Sequence, residues 1–258
     1  MQPSPAPLAL ARRAVVAVVA VVAVLALPAG ALAVEAPDRT PLSTSGGTIV
    51  DRTGAPFVVQ GVNWFGFETS NHLPHGLWTR DYKDMLAQIR GAGFNAIRLP
   101  FSIQALRSST TSGLDLGGGR NAALAGKTPL EAMDVIVDEA SRQGLVVLLD
   151  CHSLSDDGFM WDTWYGQGGY TEDDWVSTWQ MLARRYKDRP NVIGADLKNE
   201  PHGIATWGTG GDTDWRRVAT WLNGPVPGAR PRSPPASSWP TPTSNASCAR
   251  WSPAPPPW

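Results

Sequence analysis

The stretch Val192-Ile-Gly-Ala-Asp-Leu-Lys-Asn-Glu-Pro-His202 decides the fold that this sequence predicts. Residues 192–197 are apolar enough for a short buried strand, and Asn199, Glu200 and Pro201 follow it. A carboxylate at the end of a hydrophobic strand is costly unless it has partners or a chemical task. In parallel α/β proteins the chemistry collects at the C-terminal ends of the strands. Glu200 is therefore a candidate catalytic residue, and a solvated loop carboxylate is the alternative.

Upstream of this stretch, apolar runs alternate with amphipathic segments of helical periodicity. A β-hairpin is expected over residues 48–60, around a turn at residues 51–56. The following strands are expected at residues 58–64, 95–101 and 145–150. Helices are expected after the capping residues Thr79, Thr128 and Thr171, and a fourth unit is expected to start near Asp214.

Four parallel strand–helix units fit either half of an eight-stranded barrel or most of a doubly wound sheet. The doubly wound reading expects Gly-x-Gly-x-x-Gly after the first strand, and the sequence has none there. Instead, each strand ends in polar or aromatic residues, the arrangement of barrel enzymes. These residues are Asn63-Trp64, Arg98, Asp150 with His152, and Asn199-Glu200. The sequence therefore predicts the N-terminal half of a (β/α)8 TIM barrel.

Composition excludes several classes of partner and cofactor. The 258 residues carry a formal net charge of −1, so neither nucleic acid nor an anionic membrane surface is expected as a partner. The four histidines lack metal-ligand spacing, and we expect no metal and no cofactor. Cys151 and Cys248 predict no disulfide framework, with Cys151 as a small buried residue. The twelve tryptophans are an enrichment that favours a carbohydrate ligand.

The N-terminus has the pattern of an export signal. Arg12 and Arg13 precede an apolar run over residues 14–27, and Ala31-Leu32-Ala33 supplies a cleavage site. We expect a signal peptide at residues 1–33, a catalytic domain at 34–217, and a secreted, extracellular, monomeric protein without membrane contact after cleavage. An uncleaved membrane anchor is the alternative, although the run is short for a span.

Residues 218–258 are expected to form a disordered, Pro-rich tail. From Asn223 to Trp258 there are eleven prolines among 36 residues, with no Asp, no Glu and no strand-like run. Such a segment buries too little surface to offset the entropy of ordering it. A frameshift or premature end is the preferred interpretation, because the change begins inside an element. A natural linker is the alternative.

Five blocks of sequence resemble glycoside hydrolase family 5 endoglucanases, most of all secreted actinobacterial cellulases. They occur in the family's order across about residues 47–217. The blocks are Gly61-Val-Asn-Trp-Phe-Gly-Phe-Glu-Thr, His75-Gly-Leu-Trp78, Ile97-Arg-Leu-Pro100, Asp150-x-His152 and Asp196-Leu-x-Asn-Glu-Pro-His202. The resemblance implies retaining hydrolysis of β-1,4-glucan by two glutamates, one acid/base and one nucleophile.

The resemblance also implies a role for each matched residue. Glu200 would be the acid/base, with a pKa raised by burial and by a neighbouring carboxylate. Asn199 would bind the sugar 2-hydroxyl, and Arg98 would orient the nucleophile. His152 would join the hydrogen-bond network around the carboxylates. For Arg98 and His152, an ordinary structural ion pair and a satisfied loop histidine are the alternatives.

The substrate side is expected to be a β-glucan polysaccharide held by Trp78, His75 and Trp64. Trp78 resembles a glucose-stacking residue, whereas Trp64 fits the core equally well. Trp175 and Trp179 have helical spacing and are expected in the core. Three further tryptophans lie in strand-end loops and fit a cleft without any order of preference: Trp161, Trp164 and Trp207.

The family's nucleophile is a second glutamate at the end of the seventh strand, and no residue of this sequence matches it. We therefore expect the chain as given to fold poorly and to hydrolyse cellulose little or not at all. The alternatives are another β-glycanase of the same family, such as a mannanase or xyloglucanase, and a non-catalytic glucan-binding fragment.

Overall fold

The computed structural model describes residues 39–166 and 168–216. The expected catalytic domain at residues 34–217 therefore falls almost wholly within the description. The expected signal peptide at residues 1–33, the tail at 218–258 and Cys248 lie outside the described residues.

A small hairpin comes first, and it differs from the expected one. Strand β1 (Ser43–Ser45) pairs antiparallel with β2 (Thr48–Val50), so the turn lies at Gly46-Gly47 rather than at residues 51–56. Both glycines have positive φ, +54° and +84°, as a two-residue turn that matches strand twist requires. The predicted partner run around Phe57 contributes only a single bridge, between Val50 and Pro56.

Four parallel strands form the main sheet in chain order, which confirms the predicted succession of strand–helix units. Each strand pairs with the next in the sequence, so the order is β3-β4-β5-β6. The strands are β3 (Gly61–Asn63), β4 (Ala96–Ser102), β5 (Val146–Ser153) and β6 (Val192–Asp196).

The first strand of this sheet is shorter than expected. The apolar run at residues 58–64 predicts a buried strand, but Val58 and Val59 are 69% and 42% exposed. The chain is instead tied at Gln60, whose backbone N–H donates to the side chain of Asn95 at 2.8 Å. Pairing with β4 begins only at Gly61.

Helices cover one face of the sheet. They are α1 (Tyr82–Gly91), α2 (Ile103–Arg107), α3 (Pro129–Arg142) and α4 (Glu172–Tyr186). Short 3₁₀ turns occupy Gly117–Gly119 and Ala122–Leu124 in the loop before α3.

The capping predictions succeed at two helices and fail at one. Thr128 with Glu131 and Thr171 with Asp174 form complete capping boxes. At α1, however, Asp81 caps the helix by accepting from the backbone N–H of Lys83 at 2.8 Å, not the expected Thr79. The Thr79 hydroxyl instead donates to the carbonyl of Gly76 at 3.2 Å.

The core lies between the sheet and these helices. Leu99, Leu149 and Ala195 occupy matching positions on three neighbouring strands, and all three are buried there. Trp175 and Trp179 are also buried, as their helical spacing predicts, and both indole N–H groups donate to the carbonyl of Leu197. This packing fixes the helix-facing side of the sheet, so the alternate strand residues face the other way.

Candidate active site

Arg98 connects the ends of three strands. Its guanidinium lies on β4, where it contacts Asp150 of β5 at 3.0 Å and Asp196 of β6 at 2.7 Å. The same nitrogen, Nη2, donates to the side-chain oxygen of Asn199 at 2.8 Å. A planar guanidinium suits several acceptors at once. Arg98 thus gathers the polar residues that the sequence places at separate strand ends.

Asp150 is the buried anchor of this network. Its Oδ2 faces both Arg98 and the Nδ1 of His152, which is 2.8 Å away, and its side chain is fully buried. Within the described residues its Oδ1 has no hydrogen-bond partner. Burial raises the pKa of Asp150, while the hydrogen bond from His152 and the charge of Arg98 act in the opposite direction. His152 is therefore held by a carboxylate, and its expected role around the catalytic carboxylates stays a prediction.

Asn199 and Glu200 follow β6 in a strained turn. The backbone N–H of Asn199 donates to the carbonyl of Cys151 at 3.0 Å, which ties the turn to the end of β5. Glu200 has a φ of +47°, a conformation that is costly for a residue with a side chain and that clusters at functional sites. Its carboxylate is exposed. The expected burial of this acid is thus wrong for the described residues.

A buried lysine fixes the peptide that leads into Glu200. Lys198 is 2% exposed, and its Nζ donates to the carbonyl of Asn199 and lies 3.7 Å from the sulfur of Met160. Desolvation lowers the pKa of Lys198. Because that carbonyl belongs to the peptide that determines φ of Glu200, the ammonium stabilises the strained conformation.

An aromatic group follows β3. The ring of His75 lies between those of Phe65 and Trp78, with centroids 4.6 and 5.0 Å away, and Trp78 is 48% exposed. Thr69 and Asn71 each contact Nε2 of His75 at 3.1 Å. The expected contact residues Trp78 and His75 are therefore neighbours, and about half of the surface of Trp78 is exposed.

Trp64 supports this group from the core. It is only 5% exposed, and its indole N–H donates to the carbonyl of His75 at 3.0 Å. Of the two interpretations that the sequence leaves open for Trp64, the structure agrees with the core position.

The three loop tryptophans differ in how much of each side chain is exposed. Trp164 is fully buried and packs against Trp215 at 5.2 Å, so the interpretation of Trp164 as a cleft residue is wrong. Trp207 is 56% exposed, and Trp161 is half-buried beside Phe159.

Sequence reasoning assigned no role to several polar residues of the site. Asp150 and Asp196 stand in register on neighbouring strands, so strand alternation and parallel pairing would have placed them together. Glu68 is buried near Asp150 and His152, and burial raises its pKa. No pattern in the sequence identifies Lys198, because a lysine next to a strand end is ordinarily solvated.

The described residues contain no group of His, Cys, Asp and Glu arranged to hold a metal ion. Over the same residues, no helix combines the length and the apolar character needed to cross a membrane. Cys151 is a fully buried thiol whose pKa burial raises, as expected of a small core residue.

Residues 50–223 match the family described as Cellulase (glycosyl hydrolase family 5). The chain belongs to glycosyl hydrolase family 5. Its expected (β/α)8 barrel class is confirmed with the family, and the four parallel strands of the described residues form part of that barrel.

Named members of the family resemble the chain closely. The major extracellular endoglucanase of Xanthomonas campestris pv. campestris is 49% identical over 172 residues, which are 66% of this chain and 35% of that protein. The structure of its catalytic domain has a TM-score of 0.65 at 46% identity, and the match covers 70% of this chain and 52% of that one. An endoglucanase of Paenibacillus polymyxa is 45% identical over 177 residues, 68% of this chain and 44% of its own.

A third relative was solved with an oligosaccharide. The endocellulase of Pyrococcus horikoshii, in complex with cellotetraose, has a TM-score of 0.63 and 40% identity, and the match covers 71% of this chain and 52% of that one. This chain therefore spans about half or less of the length of these relatives. The expected actinobacterial type stays a prediction.

Proposed function

We propose that this chain carries the acid/base side of a secreted, retaining β-1,4-glucanase that acts on cellulose or a related β-glucan. The observation that supports it most is the network in which Arg98 gathers Asp150, Asp196 and Asn199 directly beside the strained Glu200. An exposed carboxylate on a rigid, strained turn has access to a substrate, whereas an ordinary loop carboxylate needs no such support.

The proposed roles follow from the chemistry of each group. Glu200 protonates the leaving glycosidic oxygen and then, as a carboxylate, activates water. Asn199, whose amide is oriented by Arg98, donates to the 2-hydroxyl of the sugar, an interaction that strengthens toward the oxocarbenium-like transition state. His152 is held by Asp150 at the rim of the same network.

In a retaining enzyme a second carboxylate acts as nucleophile. Arg98 is the group that would orient it, and among the described residues its side-chain partners are two aspartates and two asparagines. A non-catalytic glucan-binding fragment is the second candidate function. The exposed Trp78 beside His75 serves both candidates, because an aromatic face binds the apolar face of a sugar ring.

Export of the chain is part of the proposal. The Arg-led apolar run near the N-terminus is typical of a signal peptide, and the Xanthomonas relative is named an extracellular enzyme. The substrate class rests on the relatives named endoglucanase, and mannan and xyloglucan are the competing glycans.

Two measurements on the full chain test the proposal. Isothermal titration with cellotetraose, mannotetraose and a xyloglucan oligosaccharide compares the glycans, and we expect the tightest binding for cellotetraose. Hydrolysis of carboxymethylcellulose tests the chemistry: any turnover should fall about 10²–10⁴-fold in Glu200→Gln, the usual contribution of a general acid/base. Asp188→Asn is the control, because this exposed carboxylate lies before β6, at the opposite end of the strand from Glu200.

The outcomes separate the candidates. Turnover that survives Glu200→Gln contradicts the assigned acid/base. Cellotetraose binding without turnover favours the glucan-binding fragment, and preferential binding of mannotetraose transfers the proposal to a mannanase. A folded chain that binds none of the three oligosaccharides contradicts both candidates.

A further inference from the structure

A second exposed aromatic pair follows β5. Phe159 is 58% exposed, and its ring centroid lies 4.8 Å from that of Trp161. Trp161 is half-buried, and its indole N–H donates to the hydroxyl of Ser155 at 3.3 Å. One ring is thus anchored, and it supports a neighbour that faces solvent.

The residues between and after these rings contact the turn that presents Glu200. The sulfur of Met160 lies 3.3 Å from the side-chain nitrogen of Asn199. Asp162 lies 3.0 Å from the ring of His202 and also accepts from its backbone N–H at 3.1 Å. Met160 and Asp162 therefore contact the residue just before Glu200 and the residue two positions after it.

The two amide atoms of Asn199 contact residues that lie next to the two aromatic groups. The amide oxygen of Asn199 accepts from the guanidinium of Arg98 at 2.8 Å. The backbone carbonyl of Arg98 accepts from the backbone N–H of Trp64 at 3.0 Å, and the indole N–H of Trp64 donates to the carbonyl of His75. The amide nitrogen of Asn199 faces Met160. The side chain that is proposed to bind the sugar 2-hydroxyl thus lies between Arg98 and Met160, the sequence neighbour of Phe159.

We infer that Phe159, supported by Trp161, forms a second sugar-stacking subsite, on the side of Asn199 away from Trp78. Its ligand is another glucose unit of the same β-1,4-linked chain. The inference rests on the proposed function, because it takes Asn199 as the residue that holds the central sugar. The rings of Phe159 and Trp161 are tilted by 59°, so the exposed Phe159 offers its own flat apolar face against a neighbour that a hydrogen bond anchors, which suits stacking on a pyranose ring.

A polysaccharide explains this exposure better than a protein partner does. Two aromatic side chains form a patch far smaller than the roughly 1,000 Å² that a stable protein interface needs. The pair also follows a strand whose end supplies Asp150 and His152 of the site. A chain that extends from Trp78 across Asn199 continues toward Phe159.

The test measures affinity against oligosaccharide length in the full chain. Isothermal titration with cellobiose, cellotetraose and cellohexaose compares wild type, Phe159→Ala, Phe159→Trp and Trp78→Ala. We expect Phe159→Ala to weaken the longest ligand roughly three- to tenfold, the range of one aromatic contact, and cellobiose least. Phe159→Trp should keep the wild-type affinity, because it keeps a flat ring.

Val58→Ala is the matched control, because Val58 is 69% exposed and precedes β3, at the opposite end of the sheet from the site. Thermal unfolding of each variant checks that the fold is intact. If Trp78→Ala weakens binding and Phe159→Ala does not, the second subsite is wrong and the proposed function stands. An equal loss for all three lengths in Phe159→Ala also overturns the subsite. If the wild-type chain binds none of the ligands, the proposed function fails and the inference fails with it.

Discussion

The two faces of strand β5 are built from alternate residues and serve different purposes. Val147, Leu149 and Cys151 are fully buried on the side of the helices. The residues between them face the other way, and there Asp150 and His152 join the network of Arg98. Core and site are therefore separated by single-residue steps along one strand, so a one-residue slip in register would exchange them.

The largest effect on stability is expected from a substitution on the buried, apolar face of β5. Leu149→Ala removes a fully buried side chain that is packed between sheet and helices, and should lower the free energy of unfolding by about 2–5 kcal/mol. Leu148→Ala, one residue earlier on the other face, is the matched control. Leu148 is only half-buried, so we expect a loss of about 1 kcal/mol or less. Urea denaturation gives both values, and equal losses would contradict the assignment of the two faces.

Much of this face was predictable, because burial repeats with a period that can be read from the sequence. The capping boxes at Thr128 and Thr171 and the order of the strands are local signals of this kind. The errors lie where two local signals compete. The glycine pair at residues 46–47 forms the hairpin turn in place of the Asp51 loop, and Asp81 caps α1 in place of Thr79.

The polar face was predictable in part. Arg98, His152, Asn199 and Glu200 were found through short motifs, but their mutual contacts depend on the register of three strands. The burial of Lys198 is not predictable from the local sequence, because its contacts include Met160, which lies 38 residues earlier in the chain. Long-range packing of this kind leaves no periodic signal. The expected burial of Glu200 is wrong because the residue lies in a turn after β6 and is exposed there.

A smaller effect on stability is expected on the polar face of β5, at Asp150, and it depends on pH. Burial raises the pKa of Asp150 above its value in the unfolded chain, which is about 3.9. The folded protein then holds this proton more tightly, so the contribution of Asp150 to stability is present below about pH 4 and is lost as pH rises through the folded-state pKa. The side chain in Asp150→Asn does not ionise, so the variant does not lose this stability as pH rises. We expect the stability of the variant relative to wild type to increase from pH 4 to pH 7, as measured by urea denaturation across that range.

Asp188→Asn is again the control for this pH series. The side chain of Asp188 is 87% exposed, so its replacement should change the free energy of unfolding by less than about 0.5 kcal/mol at every pH. A difference between Asp150→Asn and wild type that stays constant with pH would contradict the proposed role of burial. A difference that falls with pH would show that the ion pair with Arg98 outweighs it.

The smallest effect is expected at Lys198, where the polar site touches the apolar interior. Desolvation lowers the pKa of Lys198 below its unfolded value of about 10.4, so its contribution to stability is present above that value and is lost as pH falls through the folded-state pKa. Lys198→Met removes the cost of burying a charged ammonium, and it also removes the hydrogen bond to the carbonyl of Asn199. Proteins with a buried charge and variants with an apolar replacement often have similar stability. We therefore expect the free energy of unfolding to change by about 1 kcal/mol or less at pH 7. As pH rises to about 10, the stability of wild type should increase relative to that of the variant. The affinity for cellotetraose is a second readout. If the ammonium holds the turn at Glu200, the variant should bind the sugar more weakly without being less stable. Unchanged affinity would show that Lys198 does not hold this turn.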